Sequence, residues 1–246
     1  MDLTFLGRGA AFNPKEGNTS AYFIENKKLF LIDCGESVFE RIIENDLLKD
    51  IEVINLMITH THSDHIGSIG SLVMYSFYTL QKPVNIILPN QEEYIVHIKN
   101  ILNAFGCFES MYKFVLENEF DNKYERFTNI RYLKTNHYNG LICYSLLFNT
   151  PNGIIYYSGD TRETTIIEEL IRGKENIDKL YIDVTTADFK GNVHIYIGVL
   201  KDIIPENLKK CVYCMHFNND ECIEKAKELG FNVVEVKNRS LTKRIK

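Results

Sequence analysis

The sequence predicts an α/β protein in which β-sheets pack on one another and carry helices on their outer faces. Two observations lead there. Short apolar, strand-like runs recur along the chain with helical segments interspersed, in two broadly similar halves. No Pro-, Gly- or Ser-rich linker divides the chain, so residues 1–246 are read as one domain. With 246 residues and 45% hydrophobic content, the chain carries enough apolar material for a sizeable core.

Residues 3–6 read as a strand that turns at Gly7-Arg8-Gly9. Residues 20–25 and 29–33 form a strand pair about the polar Asn26-Lys27-Lys28. Val38, Ile42, Ile43 and Leu47 fall at helical spacing and predict a helix over 37–48. An apolar strand over 52–58 follows, then a helix over 66–80, a strand over 84–88 and a helix over 91–105. Residues 106–129 are aromatic and acidic with weak periodicity, and read as an excursion, a lid or a partner surface. Strands are expected over 131–134, 141–149, 154–158, 180–184, 212–215 and 233–236. Helices are expected over 161–172, 193–204 (stopped by Pro205) and 220–229. No repeat is visible in the sequence itself.

The net charge is −5, with 25% charged residues, which argues for a small substrate over long nucleic acid, whose phosphates call for a basic surplus. The six cysteines are scattered and read as reduced, mostly buried thiols of a cytoplasmic protein. Cys211 and Cys214 form a lone C-x-x-C on a strand, where residues three apart face opposite sides; this is a weak zinc signal. The opening residues lack the basic region of a leader, and no apolar run is long enough for a membrane span, so no membrane partner is expected.

The chemistry concentrates in Thr59-His60-Thr61-His62-Ser63-Asp64-His65, where a buried apolar strand runs out. His60 and His62 are two apart and share one face of an extended segment; Asp64 and His65 follow where the chain turns into a helix. Imidazoles with a carboxylate are the ligands zinc and similar cations favour. Four such groups within six residues are hard to explain by packing.

H-x-H-x-D-H after an apolar strand resembles the signature of the metallo-β-lactamase fold superfamily. His137, Asp160 and His216 follow downstream in the expected order, each at a predicted strand end. The resemblance implies an αββα four-layer sandwich of two mixed β-sheets and two divalent metal ions per subunit, zinc first, with manganese or iron as alternatives. It places His60, His62 and His137 on one ion, Asp64, His65 and His216 on the other, and Asp160 on both. It gives Asp64 the further task of orienting the attacking hydroxide. Asp33 reads as a structural hydrogen-bonding residue.

Asn18-Thr19-Ser20, Asp33-Cys34-Gly35 and Ser158-Gly159-Asp160-Thr161-Arg162 resemble the RNase Z-like branch. That branch implies a leaving-group pair, here Asp183 and His194, although its usual acid is Glu. The Gly- and Lys-rich arm of the tRNA-processing members is missing between His137 and Asp160, so no tRNA substrate is expected. Chain length and Phe5-Leu6-Gly7-Arg8-Gly9-Ala10-Ala11-Phe12 are similar to the phage-type anti-Pycsar phosphodiesterases. That likeness implies opening of cyclic nucleotides (cyclic CMP, cyclic UMP, and cyclic AMP or GMP) to linear monophosphates, in the host cytoplasm if the chain is phage-encoded. It also implies a homodimer whose partner subunit completes the pocket. The segment 106–127 is the candidate contact, with Tyr112, Phe114, Tyr124 and Phe127 available either to stack on a base or to cover the core. Alternatives are another phosphodiester, a lactone or thioester on the same metal core, or a non-enzymatic binder, which the full ligand set disfavours. His97 receives no role; Asn136, Tyr138 and Asn218 neighbour ligands.

Overall fold

Alternating apolar residues build two sheets with the same internal plan. The structure, a computed structural model, describes residues 1–237. The first half contains β1 (Thr4–Gly7), β2 (Ser20–Glu25), β3 (Lys28–Ile32), α1 (Val38–Glu44), β4 (Val53–Met57), α2 (Ser63–Ile66), α3 (Ile69–Tyr78), β5 (Val84–Leu88), α4 (Glu92–Ala104) and β6 (Tyr112–Leu116). The second contains β7 (Asn129–Thr135), β8 (Cys143–Thr150), β9 (Gly153–Tyr157), α5 (Thr165–Arg172), β10 (Ile177–Asp183), α6 (Ile197–Ile203), β11 (Val212–Met215), α7 (Asp220–Glu228) and β12 (Asn232–Val233). One sheet runs β1-β2-β3-β4-β5-β6 and the other β12-β11-β10-β9-β8-β7. Taken in chain order, the first two pairings of each sheet are antiparallel and the next three parallel. The halves thus repeat in architecture without repeating in sequence.

Side-chain alternation along the strands creates the layers. On β10, Tyr181 faces the core between the sheets, whereas Leu180 and Ile182 join Ile167, Leu170, Ile197, Leu200, Ile223 and Ala226 beneath α5, α6 and α7. On the other sheet, Val38, Leu72, Val73, Tyr94 and Ile98 bring α1, α3 and α4 onto the first core. Phe23 of β2 meets Phe148 of β8 at 6.1 Å and Phe5 of β1 meets Tyr181 at 5.4 Å, so the sheets face each other through aromatic rings. Each fully buried Phe contributes ~1.5–3 kcal/mol.

Four sequence expectations are corrected. The helix over 66–80 is interrupted at Gly67-Ser68, because Ser68 Oγ donates to Gly35 O (2.5 Å) and accepts from Phe39 N (3.1 Å). The segment 106–129 is no open excursion. It supplies the edge strand β6, a 3-10 turn at Glu117–Phe120, and the buried rings of Tyr112, Phe120 and Phe127. Phe127 packs on Phe23, Phe30 and Phe148, and Tyr124 stacks on Phe127 at 4.9 Å, so these rings cover the core and are not free to stack on a base. The helix expected from 193 begins at Ile197, because Thr185 N and Ile195 O, then Ile197 N and Thr185 O, hold the approach extended at 2.9 Å each. The last strand is shorter than expected, with Val236 making a lone bridge to Phe5.

Candidate metal centre

The parallel strands end together at one rim, where open α/β sheets gather their ligands. β3 runs into Asp33, β4 into His60, β9 into Asp160, β10 ends at Asp183 and β11 runs into His216. β7 points the same way, since it and β9 both run antiparallel to β8, and it delivers His137. His62 is the extended residue before α2 (φ −66°, ψ 152°), and Asp64 and His65 sit in its first turn.

The rim is built on tight backbone. Gly159 adopts φ +57°, and a Cβ there would stand 2.8 Å from Tyr144 O, so only glycine turns β9 into Asp160 without strain. Asp33 (φ +60°) and His216 (φ +62°) also lie in the left-handed region, uncommon for side chains of this size. Flanking main-chain bonds hold the second: Phe217 N donates to Arg8 O at 2.9 Å and Ala10 N to Phe217 O at 3.1 Å.

Three groups converge. His60, His62, His137 and Asp160 form one set; Asp64, His65, Asp160 and His216 form a second; ligand atoms within each lie within 4.8 Å of one another. His62 Nδ1 is 3.1 Å from His60 Nε2 and 3.2 Å from His137 Nε2. In the second set, His65 Nε2 is 3.4 Å from Asp64 Oδ2, and His216 Nε2 is 3.3 Å from the same oxygen. Asp160 straddles both: Oδ1 is 3.2 Å from His65 Nε2, while Oδ2 lies 3.3 Å from His216, 3.7 Å from His137 and 3.8 Å from His60. A tetrahedral ion with metal–nitrogen bonds of ~2.0–2.1 Å sets its ligand atoms about 3.3 Å apart. The observed spacings match that edge.

The outer nitrogens are committed elsewhere, which leaves the inner ones for ligation. His65 Nδ1 bonds Asp33 Oδ2 at 2.8 Å, His137 Nδ1 bonds Val193 O at 2.8 Å, and His60 Nδ1 lies 3.1 Å from Thr59 Oγ1. Asp33 also accepts from Thr59 N and Thr59 Oγ1, both at 2.8 Å, which makes it a brace and not a ligand. Inside, His65 Nε2 is buried without a well-aligned hydrogen bond and faces the Asp64 and Asp160 carboxylates at 3.4 and 3.2 Å, an arrangement that a cation among them would complete. The donor set and this inward-facing nitrogen fit divalent metal ions.

Burial and the carboxylates set the charges of these groups in the metal-free protein. Burial holds His60 neutral, well below the ordinary histidine range, as a ligand must be. Burial opposes ionisation of Asp160, but His216 and His65 outweigh it and keep the carboxylate charged. Burial likewise opposes charging His216, yet Asp160 and Asp183 raise it to about 10.

The third group joins Asp160, Asp183, His194 and His216. Here Asp183 Oδ2 takes His194 Nδ1 at 2.7 Å, and its other oxygen lies 3.3 Å from His216 Nδ1. Asp183 thus joins a candidate ligand to His194. Against the desolvation of its burial, Asp183 raises His194 above the usual histidine range.

A family model described as anti-Pycsar protein Apyc1 matches residues 1–238. The chain belongs to this family. An Apyc1 relative from Bacillus phage BSP38 is 26% identical over 235 residues, covering 89% of each chain. A ribonuclease Z from Methanococcus maripaludis strain C5 is 41% identical over 106 residues, which are 42% of this chain and 33% of that enzyme. The match therefore spans only a third of that ribonuclease's length. Among solved structures, the metallo-β-lactamase fold protein YhfI from Bacillus subtilis superposes with a TM-score of 0.70 at 18% identity, covering 96% of both chains. This Apyc1-family chain accordingly has the metallo-β-lactamase fold.

Of the Apyc1-family chain's sequence candidates, all nine site residues gather at this rim. Asn218 instead bonds Thr185 Oγ1 at 3.2 Å and Asn136 bonds Glu163, so neither side chain braces a candidate ligand. Tyr138 sets its ring 6.0 Å from that of His62. His97, given no role from sequence, reaches Thr61 Oγ1 at 3.2 Å beside His62. The Val193 carbonyl was invisible to motif reading, since main-chain acceptors carry no residue signature. Cys211 and Cys214 enter no metal-ligand group among the described residues. No helix among those residues is long and apolar enough to cross a membrane.

Proposed function

We propose that this chain is a metal-dependent phosphodiesterase that opens cyclic nucleotides to linear monophosphates and so counters a Pycsar-type defence in the host cytoplasm. The observation that carries the reading is the seven-residue His/Asp centre with the Asp183–His194 pair beside it. Family membership supports the substrate class.

His60, His62 and His137 would hold one cation, Asp64, His65 and His216 the other, and Asp160 would serve both; zinc would suit these ligands best. When bound, the ions supply Lewis acidity toward a phosphoryl group and make water a usable nucleophile near neutral pH. Asp64 keeps its second oxygen for orienting the attacking water. His194, whose affinity for its proton Asp183 raises through a 2.7 Å bond to Nδ1, presents Nε2 to the substrate. That nitrogen steadies a non-bridging phosphoryl oxygen or gives its proton to the leaving alkoxide. An Asp reaches His194 where the branch usually has Glu, so the shorter acid serves the same pairing. The substrate is a small cyclic phosphate and not tRNA, and a second copy of the chain completes the pocket of a homodimer.

The test is turnover of cyclic CMP, cyclic UMP, cyclic AMP, cyclic GMP, bis(p-nitrophenyl) phosphate and a simple lactone by metal-loaded protein. The double variant H60A/H62A is the control. Linear monophosphates from the wild type alone are expected. Turnover of the lactone with every phosphodiester untouched would overturn the substrate class. Sedimentation gives the oligomeric state separately.

A further inference from the structure

We propose that the cavity beside His194 is a nucleobase subsite, with Phe189 as its stacking face and Arg162 and Asp188 as its polar readers. The inference rests on the cyclic-nucleotide reading above and says where the base goes.

A cavity of about 240 Å³ opens against His194, lined also by Arg162, Asp188, Phe189 and Asn192. His194 belongs to the reacting centre: its ring lies 5.0 Å from those of both His137 and His216. A substrate whose phosphate meets His194 therefore has this cavity next to it. A larger cavity of about 520 Å³, lined by Lys179, Tyr213 and Phe231, includes no residue of the metal sets. The smaller volume lies below the ~300–1,000 Å³ of drug-sized sites and suits one base, not a dinucleotide.

The walls have the chemistry a base needs. Phe189 is 60% exposed although it is a large apolar ring. Its loop is ordered by its own bonds: Asn192 N donates to Phe189 O at 3.1 Å, Asn192 Nδ2 to Ala187 O at 2.7 Å, and Ala187 N to Thr185 Oγ1 at 3.1 Å. The ring is thus held out on a structured support. Arg162 is anchored by its main-chain N–H to Asn136 O (2.9 Å) and by Nη2 to Asn139 Oδ1 (3.2 Å). Its remaining guanidinium N–H groups stay available, since Arg carries five. The cation of Arg162 and the carboxylate of Asp188, both lining the cavity, read base carbonyls and base amino groups respectively. Aromatic stacking tolerates every base, so the subsite favours nucleotides over bare sugar phosphates more than one base over another.

Calorimetric titration of metal-loaded protein with CMP, AMP and ribose 5-phosphate tests this, on the wild type, F189A and R162A. The expected result is that CMP and AMP bind at least about tenfold more tightly than ribose 5-phosphate, in the range of one stacked base. F189A should remove most of that margin while changing ribose 5-phosphate by less than about twofold, and R162A should remove part of it. Equal binding of all three by the wild type, or an equal loss for all three in F189A, overturns the subsite. Cyclic-nucleotide turnover separates the two readings. Turnover with a nucleotide preference that ignores Phe189 sinks the subsite alone. A Phe189-dependent preference without turnover sinks the phosphodiesterase reading and keeps the subsite.

Discussion

Replacing Asp33 with Asn tests whether the second cation set depends on its outer brace. Asn is isosteric and tolerates the positive φ of 60° at this position. Its carbonyl oxygen still accepts from Thr59 N, which bonds Asp33 Oδ1 at 2.8 Å. At the other position an amide NH₂ replaces the oxygen that His65 Nδ1 meets at 2.8 Å. An NH₂ cannot accept from Nδ1–H, so the imidazole proton is driven to Nε2, the atom that faces Asp64 and Asp160. Loss of such a supporting partner lowers metal affinity by ~10–100-fold. That is ~1.4–2.8 kcal/mol, in line with ~1.5–3 kcal/mol for a hydrogen bond to a charged group. Competition against a chromophoric chelator resolves the two affinities. The second site should weaken by about that factor, while the site of His60, His62 and His137 changes by less than about threefold. Equal affinities in D33N and wild type, or a larger loss at the first site, would refute the bracing argument.

Further outcomes follow from other parts of the molecule. F127A should cost ~3–5 kcal/mol in urea unfolding, with KM unaltered, because the ring packs on Phe23, Phe30 and Phe148; a raised KM at unchanged stability would return this residue to the substrate. In the native protein Ellman's reagent at pH 8 should find one fast thiol, Cys211, the only partly exposed cysteine, since burial pushes Cys34 and Cys222 up to about 12 and Cys143 up to about 11; several fast thiols would contradict this burial. Zinc uptake at pH 7 should release protons. Burial opposes charging His65 and His216, but the neighbouring carboxylates raise both, His216 to about 10, so the metal-free protein holds protons that ligation must expel. Affinity should therefore fall as pH drops, and calorimetric heats that do not depend on buffer ionisation would count against it.

Four of the candidate ligands were legible because metal chemistry restricts residue type so severely, and the resemblance then pointed to His137, Asp160 and His216. His60, His62, Asp64 and His65 crowd one strand end, and no packing need produces that pattern. Strands over 84–88 and 212–215 fell where expected, since short apolar runs bounded by polar residues have few other uses. Less was legible where local pattern and tertiary contact disagree. Weak periodicity over 106–129 looked like an excursion, yet β6 forms there because β5 offers a parallel edge to pair with.

What the sequence determined by itself was the layered fold class and the cluster His60, His62, Asp64 and His65, carried by local spacing and side-chain chemistry, while His137, Asp160 and His216 entered through the family resemblance. What only the tertiary structure decided was which nitrogen of each histidine faces inward, that Asp33 braces His65, and that Asp183 ties His194 to His216. Those relations join residues as far apart as 33 and 65 or 183 and 216, across strands within each half. Sequence spacing is blind to them, because the distance that matters is set by where six parallel-ending strands place their final residues.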